Sequence, residues 1–433
     1  MNLNEIFVLN AKNGILLVNS NNAEMLAVKK LDIRDVLDKL QNDVMEKSLI
    51  QFLDVLTEEK FNNAKIENGK GIGIIPSLKC NFNCEYCFQK DFPRVDMNPD
   101  MIGCVKRFVY EWDSKMKCET SLDNIGLMGG EILRDEIREI NDRIVKEFGK
   151  VNYSITTNGV GILNYRDFFV EYQPKTTVSL DGTSEMHRKK RISNIPNSYQ
   201  KIVEGINFLI QNGIETNIAT VFNPEFEVEE YSDFFDLLEG LGWLKNRNIT
   251  VTVGLEMEKG IRGTQLDKWK RSIDKYKELL KADWRTGYLI TDLLPGSKNM
   301  ERVLIDKLNT GKVDSFYCSA NIMDNLIFAP DGYVYNCNLS LSNNRIGQFF
   351  PNIVIYEDVI ELYKNRKPEL LKKCKKCKMK LFCKGGCPIS SLSQDNTIMV
   401  GYCGLWKDED LLNNIELNID TEKLFRMANT YER

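Results

Sequence analysis

Between residues 71 and 280, two kinds of apolar stretch take turns along the chain. Six are short and rich in β-branched residues: GIGII (71–75), IGLM (125–128), YSITT (153–157), TTVSL (176–180), NIATV (217–221) and ITVTVGL (249–255). Their length and composition predict strands. Most are followed by a longer stretch with apolar residues three and four positions apart, such as MIGCVKRFVYEW (101–112), SYQKIVEGINFLI (198–210) and LDKWKRSIDKYKELL (266–280). That spacing gives a helix one apolar face. Strands alternating with helices predict parallel pairing with right-handed crossovers. The expected fold class is α/β: a partial (β/α)6 TIM-like barrel over residues 69–300, with a doubly wound open sheet as the other arrangement that fits. Both place ligands beyond the C-terminal ends of the strands.

The pattern changes on either side. Residues 1–68 are expected to form a small separate α+β domain. IFVLN and ILLVN flank Asn13-Gly14, which supplies the positive φ of a tight hairpin. AEMLAV (23–28) reads as a third strand, LDIRDVLDKL and EKSLIQFLDVL as amphipathic helices, and NNAKIENGKG (62–71) as a linker. From 301 to 433 the strands are short, as in NLIFAPDGYVYNC, where Asp331-Gly332 marks a hairpin. Cysteines and glycines dominate LKKCKKCKMKLFCKGGCP (371–388), leaving too little apolar content for a core, so metal is expected to organise this domain.

Composition narrows the function classes. The chain is 42% hydrophobic and 28% charged, as soluble globular proteins are. A formal charge of -4 gives no global attraction to nucleic acid or anionic membrane, and neither is an expected partner. No run approaches the ~18 apolar residues of a membrane span, and MNLNEIFVLNAKNG lacks the features of a secretion signal. The expected location is the cytoplasm, where a dozen cysteines are more readily metal ligands than disulfides. The single histidine, His187, excludes a multi-histidine metal centre and reads as a surface residue.

Three cysteines, Cys80, Cys84 and Cys87, crowd into KCNFNCEYCFQ (79–89), directly after the first strand. A structural zinc site wants four ligands, which three thiols leave short. An iron–sulfur cubane held by three thiolates keeps one iron free to chelate an amine and a carboxylate. The gaps of three and two residues, with Tyr86 before the last cysteine, resemble the signature of the radical S-adenosylmethionine superfamily. The resemblance implies a [4Fe-4S] cluster that binds and reductively cleaves S-adenosylmethionine. It also implies cofactor contacts at successive strand ends: Tyr86 in the loop, Gly129, Gly130 and Glu131 in MGGE, Asn158 in TTNG, Ser179 and Asp181 in SLDG, Arg191 closing HRKKR, and Asn217, with Thr220 a weaker candidate. Glycines let a ligand approach the backbone, Glu131 can accept from an ammonium, and Arg191 stands where relatives bind the cofactor carboxylate.

A second array follows: Cys318, Cys337, Cys374, Cys377, Cys383, Cys387 and Cys403. Its spacing resembles the SPASM extension, which carries two auxiliary iron–sulfur clusters. The resemblance assigns Cys374, Cys377, Cys383 and Cys403 to one cluster and Cys318, Cys337 and Cys387 to the other, so three [4Fe-4S] clusters are implied in all. Some relatives add a cysteine close to the first of the seven. NTGKVDSFY before Cys318 and SANIMDNLIFAP after it have none, so one auxiliary cluster has an open site or borrows a ligand. Cys104 and Cys118, in or near helix-like segments, read as buried packing thiols. Two zinc knuckles are the alternative for this region.

The family acts on peptides and proteins. Its sulfatase-maturing members carry an aspartate immediately after the second cysteine of the array; here that residue is Asn338, which takes no proton at neutral pH. Residues 1–68 resemble the winged-helix-like leader-recognition element of peptide-modifying enzymes, where an exposed strand edge pairs with an extended peptide. The resemblance therefore implies an oxidoreductase that installs a carbon–carbon, ether or thioether crosslink in a ribosomally made (RiPP) precursor peptide, by hydrogen abstraction with a 5′-deoxyadenosyl radical. Its implied partners are a leader-bearing precursor and a flavodoxin- or ferredoxin-type reductant. No catalytic residue beyond the cluster ligands is assigned. Formylglycine formation on a sulfatase is the enzymatic alternative, and a zinc-binding scaffold the non-enzymatic one.

Overall fold

The computed structural model describes residues 6–12, 14–19, 25–29, 71–255, 266–291, 303, 313, 316–341, 344–377, 379–403 and 416–420. The chain divides into two compact units, Lys65–Leu293 with Ser319–Tyr363, and Met1–Ala64 with Leu294–Cys318 and Lys364–Arg433.

The second of these units opens with β1 (Ile6–Lys12), β2 (Gly14–Asn19) and β3 (Met25–Lys29), an antiparallel meander. Ala11 pairs with Gly14 across the expected Asn-Gly hairpin. The two expected helices and the linker at 62–70 lie outside the described residues.

The larger unit carries β4 (Ile72–Ile74), β5 (Phe82–Cys84), β6 (Asn124–Leu127), β7 (Asn152–Thr157), β8 (Lys175–Ser179), β9 (Arg191–Ser193), β10 (Thr216–Phe222), β11 (Ile249–Leu255), β12 (Leu289–Thr291), β13 (Leu326–Phe328), β14 (Tyr333–Tyr335), β15 (Gly347–Gln348) and β16 (Val354–Ile355). β5 and β9 pair with each other; the rest form one sheet in the order β12-β11-β10-β8-β7-β6-β4-β13-β14-β15-β16. Pairing is parallel from β12 to β13 and antiparallel from β13 to β16. The six expected strands are all present, as β4, β6, β7, β8, β10 and β11, and they are neighbours in that order. The fold is α/β as expected. The sheet does not stop near residue 300, because β13 adds to β4 with Leu326 opposite Ile72.

Between these strands run α1 (Ile102–Met116), α2 (Arg138–Phe148), α3 (Arg166–Tyr172), α4 (Ser184–Lys190), α5 (Ser198–Gln211), α6 (Val228–Gly240) and α7 (Leu266–Ala282). The buried residues of α1, among them Val105, Phe108, Val109 and Trp112, fall at the three- and four-residue spacing that predicted it. At the start of α6, Glu227 and Glu230 form a capping box that satisfies backbone N–H groups otherwise left without partners.

The two faces of the sheet differ. Ile125, Leu127, Tyr153, Ile155, Val178, Ile218, Phe222, Val251 and Val253 are buried and alternate with residues that are not. The intervening positions are small or polar and half-buried or exposed: Gly126, Ser154, Thr156, Thr177, Ser179, Asn217, Thr250 and Thr252. A parallel sheet covered on both faces reads as continuous hydrophobic runs. Strict alternation here leaves one face open, as the inside of an unclosed barrel is.

The second unit ends with α8 (Lys380–Cys383), α9 (Pro388–Asp395) and β17 (Glu416–Asp420). β17 pairs in parallel with β1, giving a four-stranded sheet whose edges are β17 and β3. Among the described residues no helix is long and apolar enough to cross a membrane.

Candidate functional site

The three-cysteine loop begins where β4 ends, and its stem is fixed both by a core, in which Ile75 and Leu78 pack with Ile327, Ala329, Tyr335 and Leu341, and by polar contacts. Ser77, fully buried, donates from Oγ to Asp96 Oδ1 (2.7 Å) and accepts from the Lys79 N–H (2.9 Å). Arg134 reaches both Ser77 Oγ (3.0 Å) and Asp96 Oδ1 (2.9 Å), and Lys79 Nζ lies 2.6 Å from Asp96 Oδ2. Burial alone would raise the Asp96 pKa, but Lys79, Ser77 and Arg134 outweigh it and hold the carboxyl below its ordinary range.

The loop after β6 is laced to this stem. Gly130 N–H donates to Ser77 O (2.8 Å) and Glu131 N–H to Lys79 O (2.9 Å). A Cβ on Gly129 would stand 2.3 Å from Ser77 O, and one on Gly130 2.1 Å from Lys79 O. Only glycine permits two backbones to run this close, which is the physical reason for the Gly-Gly pair.

Glu131 points inward. Its carboxylate is fully buried and accepts from the Leu133 N–H (2.9 Å), Thr157 Oγ1 (2.6 Å) and the Asn158 N–H (2.6 Å). Burial pushes its pKa up, against these three donors, which pull it down. The side chain thereby ties the loop after β6 to the end of β7. Asn158, next along, donates to Asn81 Oδ1 (2.7 Å) and reaches Cys80 Sγ (3.9 Å).

The far side of the cysteine loop is clipped to the segment after β8. β5 pairs with β9 so that Cys84 stands opposite Arg191, and Glu85 N–H donates to Lys190 O (3.0 Å). Beneath lies a buried charge network. Arg191 Nε donates to Asp181 Oδ2 (2.9 Å), Tyr86 Oη donates to the same oxygen, and Val221 N–H donates to Asp181 Oδ1 (3.0 Å). Arg191 also lies 5.3 Å over the Tyr86 ring and reaches toward Cys84 Sγ (4.0 Å). Burial disfavours the guanidinium, but Asp181 more than compensates, so Arg191 is held firmly charged.

His187 is not a surface residue, contrary to expectation: it is 1% exposed. Its Nδ1 accepts the Asp181 N–H (3.2 Å), which assigns the neutral tautomer with hydrogen on Nε2, and burial lowers its pKa to about 4. Cys104 is buried as expected, whereas Cys118 is half-buried and donates to Asp113 Oδ1 (3.4 Å), so it is not a packing thiol.

The structure thus gathers Tyr86, Gly129, Gly130, Glu131, Asn158, Asp181 and Arg191 around the three-cysteine loop. Asn217 lies lower on the open face, with its amide spanning Thr252 Oγ1 (3.0 Å) and Thr250 Oγ1 (3.0 Å). Ser179, half-buried at the end of β8, pairs with Ala219 in the ladder. Ser77, Asn81, Asp96, Arg134 and Thr157 were not anticipated. Their partners are up to 77 residues distant in sequence, and no local pattern marks such contacts.

The three thiols sense one another. Burial pushes Cys84 up to about 11, Arg191 opposes this, and Cys80 and Cys87 add repulsion between thiolates. Such a set favours a bound cation, whose charge holds the sulfurs deprotonated. Among the described residues no three Cys, His, Asp or Glu side chains are grouped to hold a single metal ion. Three thiols with no fourth ligand in the loop fit a cluster that keeps one iron free. Residues 74–238 match the family model of the Radical SAM superfamily. This stretch is a radical SAM domain.

A radical SAM domain carries a [4Fe-4S] cluster and S-adenosylmethionine. Over 161 residues, 34% of this chain, it is 32% identical to a cysteine-type anaerobic sulfatase-maturating enzyme of Clostridium novyi, covering 42% of that protein. Over 276 residues, 54% of this chain, it is 27% identical to the radical SAM cyclopropyl synthase TigE of Paramaledivibacter caminithermalis, covering 57% of it. Each alignment therefore spans less than two thirds of the relative's own length. The structure of Streptococcus suis SuiB bound to S-adenosylmethionine superposes with a TM-score of 0.52 at 14% identity, over 95% of this chain and 99% of that one. At that identity the likeness shows the fold.

The remaining cysteines are treated unit by unit. In the smaller unit, Cys374, Cys377, Cys383 and Cys403 influence one another electrostatically, and burial pushes Cys374 up to about 11. A Cβ on Gly401 would meet Cys374 Sγ at 2.4 Å, and one on Gly386 would meet Tyr402 O at 1.8 Å, so glycines let the knot close. At its centre Arg366, 1% exposed, donates to the carbonyls of Ile398 (2.6 Å), Gly386 (2.8 Å) and Gly385 (2.8 Å) and to Ser391 Oγ (3.1 Å). Its charge is felt by Cys387, Cys318, Cys374 and Cys383. In the larger unit, Cys337 donates to Asn338 Oδ1 (3.9 Å), and Asn338 Nδ2 reaches Met128 Sδ (3.8 Å), next to the Gly-Gly loop.

Proposed function

We propose that this radical SAM enzyme oxidises a ribosomally made precursor peptide and closes a crosslink between two of its side chains. In this reading Cys80, Cys84 and Cys87 hold the cluster that cleaves S-adenosylmethionine, and the chain supplies the setting. Asn158 and Arg191 brace the thiolates through Cys80 and Cys84. The Gly129-Gly130 backbone offers the cofactor close approach, while Glu131, already occupied by three donors, orients the loop. The substrate enters along the open face, where Ser154, Thr156, Thr177 and Asn217 supply neutral hydrogen-bonding groups.

The balance is simple. Substrate and S-adenosylmethionine give crosslinked product, methionine, 5′-deoxyadenosine and a proton, with the electron that starts cleavage returned on closure. Cys374, Cys377, Cys383 and Cys403 are the proposed ligands of an auxiliary cluster that handles this electron. Residues 1–68 are the proposed leader-binding domain, with β3 as the pairing edge. Support for a peptide substrate comes from SuiB, which has also been solved bound to precursor peptide SuiA.

Asn338 is the observation that favours this over formylglycine formation. It stands beside Met128 at the proposed cofactor loop, and its amide cannot take a proton. Anaerobically reconstituted protein, given S-adenosylmethionine, a reductant and a precursor encoded beside it, should remove two hydrogens from the peptide by mass. Cys84→Ala should abolish that change and 5′-deoxyadenosine release. Conversion of a sulfatase peptide bearing Cys or Ser, with the precursor untouched, would refute crosslinking. Zinc in place of iron in anaerobic protein would refute catalysis of this kind altogether.

A further inference from the structure

Charge is distributed unevenly along the chain. Residues 364–403 hold ten Lys and Arg against two acidic residues, Glu369 and Asp395, a local charge of +8 within a chain of formal charge -4. Four of these lysines, Lys372, Lys373, Lys375 and Lys376, are exposed, and they flank Cys374 on both sides. Lys373 lies 3.8 Å from Asp395. Among the described residues, Lys372, Lys375 and Lys376 have no acidic partner. Within the same run of sequence lie Cys374, buried, and Cys377, half-buried. Concentrated like charge opposes folding through self-repulsion and acts instead on association.

We infer that this lysine face docks a small acidic one-electron carrier protein, the reductant of this enzyme. The inference rests on the proposed reading of Cys374, Cys377, Cys383 and Cys403 as cluster ligands. An acidic peptide would meet the lysines equally well, but the thiols among them would serve it nothing. A carrier needs both: charge to draw it in and orient it, and a redox centre close under the contact. In the step itself the carrier loses one electron and the cluster held by those four thiolates gains one. No bond is made or broken and no proton is exchanged at the docking face.

The test compares wild type with Lys372→Glu/Lys373→Glu/Lys375→Glu/Lys376→Glu, and with the milder set of four Lys→Gln changes, all on the full chain. A recombinant flavodoxin of strongly negative charge is the probe. Its affinity for wild type should fall steeply as salt rises from 0.05 M to 0.3 M, roughly as for other steered encounters. The Glu set should weaken low-salt binding by ~10-fold or more and the Gln set by less. Iron content and dithionite-driven cleavage of S-adenosylmethionine should be unchanged, since a small reductant needs no docking. Flavodoxin affinity that ignores both salt and the Glu set overturns the inference. So does loss of precursor binding with flavodoxin binding intact, which would assign the face to the peptide. Iron sufficient for one cluster alone would instead remove the auxiliary-cluster reading, while the affinities still report on the docking face.

Discussion

Asp181→Asn is the sharpest test of the site's architecture. Asp181 is 2% exposed, and its carboxylate accepts from Arg191, Tyr86 and Val221. Asparagine keeps one acceptor oxygen but turns an N–H2 toward existing donors, and it leaves the Arg191 guanidinium buried without a counter-charge. Breaking one side of a buried ion pair costs about 3–5 kcal/mol. The retained acceptor argues for the lower end, ~3 kcal/mol, which for a unit of this size lowers the melting temperature by about 6 °C. Trp112 and Trp243, both buried in the larger unit, make tryptophan fluorescence a suitable probe. The double variant Asp181→Asn/Arg191→Met removes the orphaned charge as well. It should therefore be more stable than the sum of the single effects, by ~1–3 kcal/mol. Melting of Asp181→Asn within ~1 °C of wild type, or a double variant whose effects simply add, would show that no buried pair organises the cysteine loop.

Three further outcomes are expected. Gly130→Ala places a methyl group 2.1 Å from Lys79 O and must push the two backbones apart; S-adenosylmethionine affinity of the iron-loaded protein should drop ~10-fold or more by calorimetry. His187 has a folded pKa of about 4, depressed from the ordinary ~6.5, so the unfolded chain binds the extra proton between those values. Its contribution is complete above pH ~6.5 and falls by roughly 3 kcal/mol as pH drops through 4, and His187→Gln should flatten the melting profile across that window. Arg366→Lys keeps the charge but loses the planar fork that serves five acceptors; on the proposed reading of the C-terminal cysteines as cluster ligands, chelator challenge should strip their iron several-fold faster while leaving in place the iron assigned by that reading to Cys80, Cys84 and Cys87.

Local pattern alone announced the six core strands, because the length and β-branched composition of a run are carried by adjacent residues. It announced the three thiols and the Gly-Gly pair for the same reason, since ligand spacing and backbone freedom are properties of a few consecutive positions. Tertiary structure decided where long-range partners fall. Glu131 looked free to meet a ligand, yet folding brings it to Thr157 and Asn158 and buries it among donors. His187 looked solvated within a run of four basic residues, yet α4 turns it under Asp181. Ser77, Asp96 and Arg134 carry no signature at all, and their network exists only because the ends of β4 and β6 are neighbours. Sequence records which side chains are available; the desolvation and pairing that set their charge and role depend on what chain closure places within a few ångströms of them.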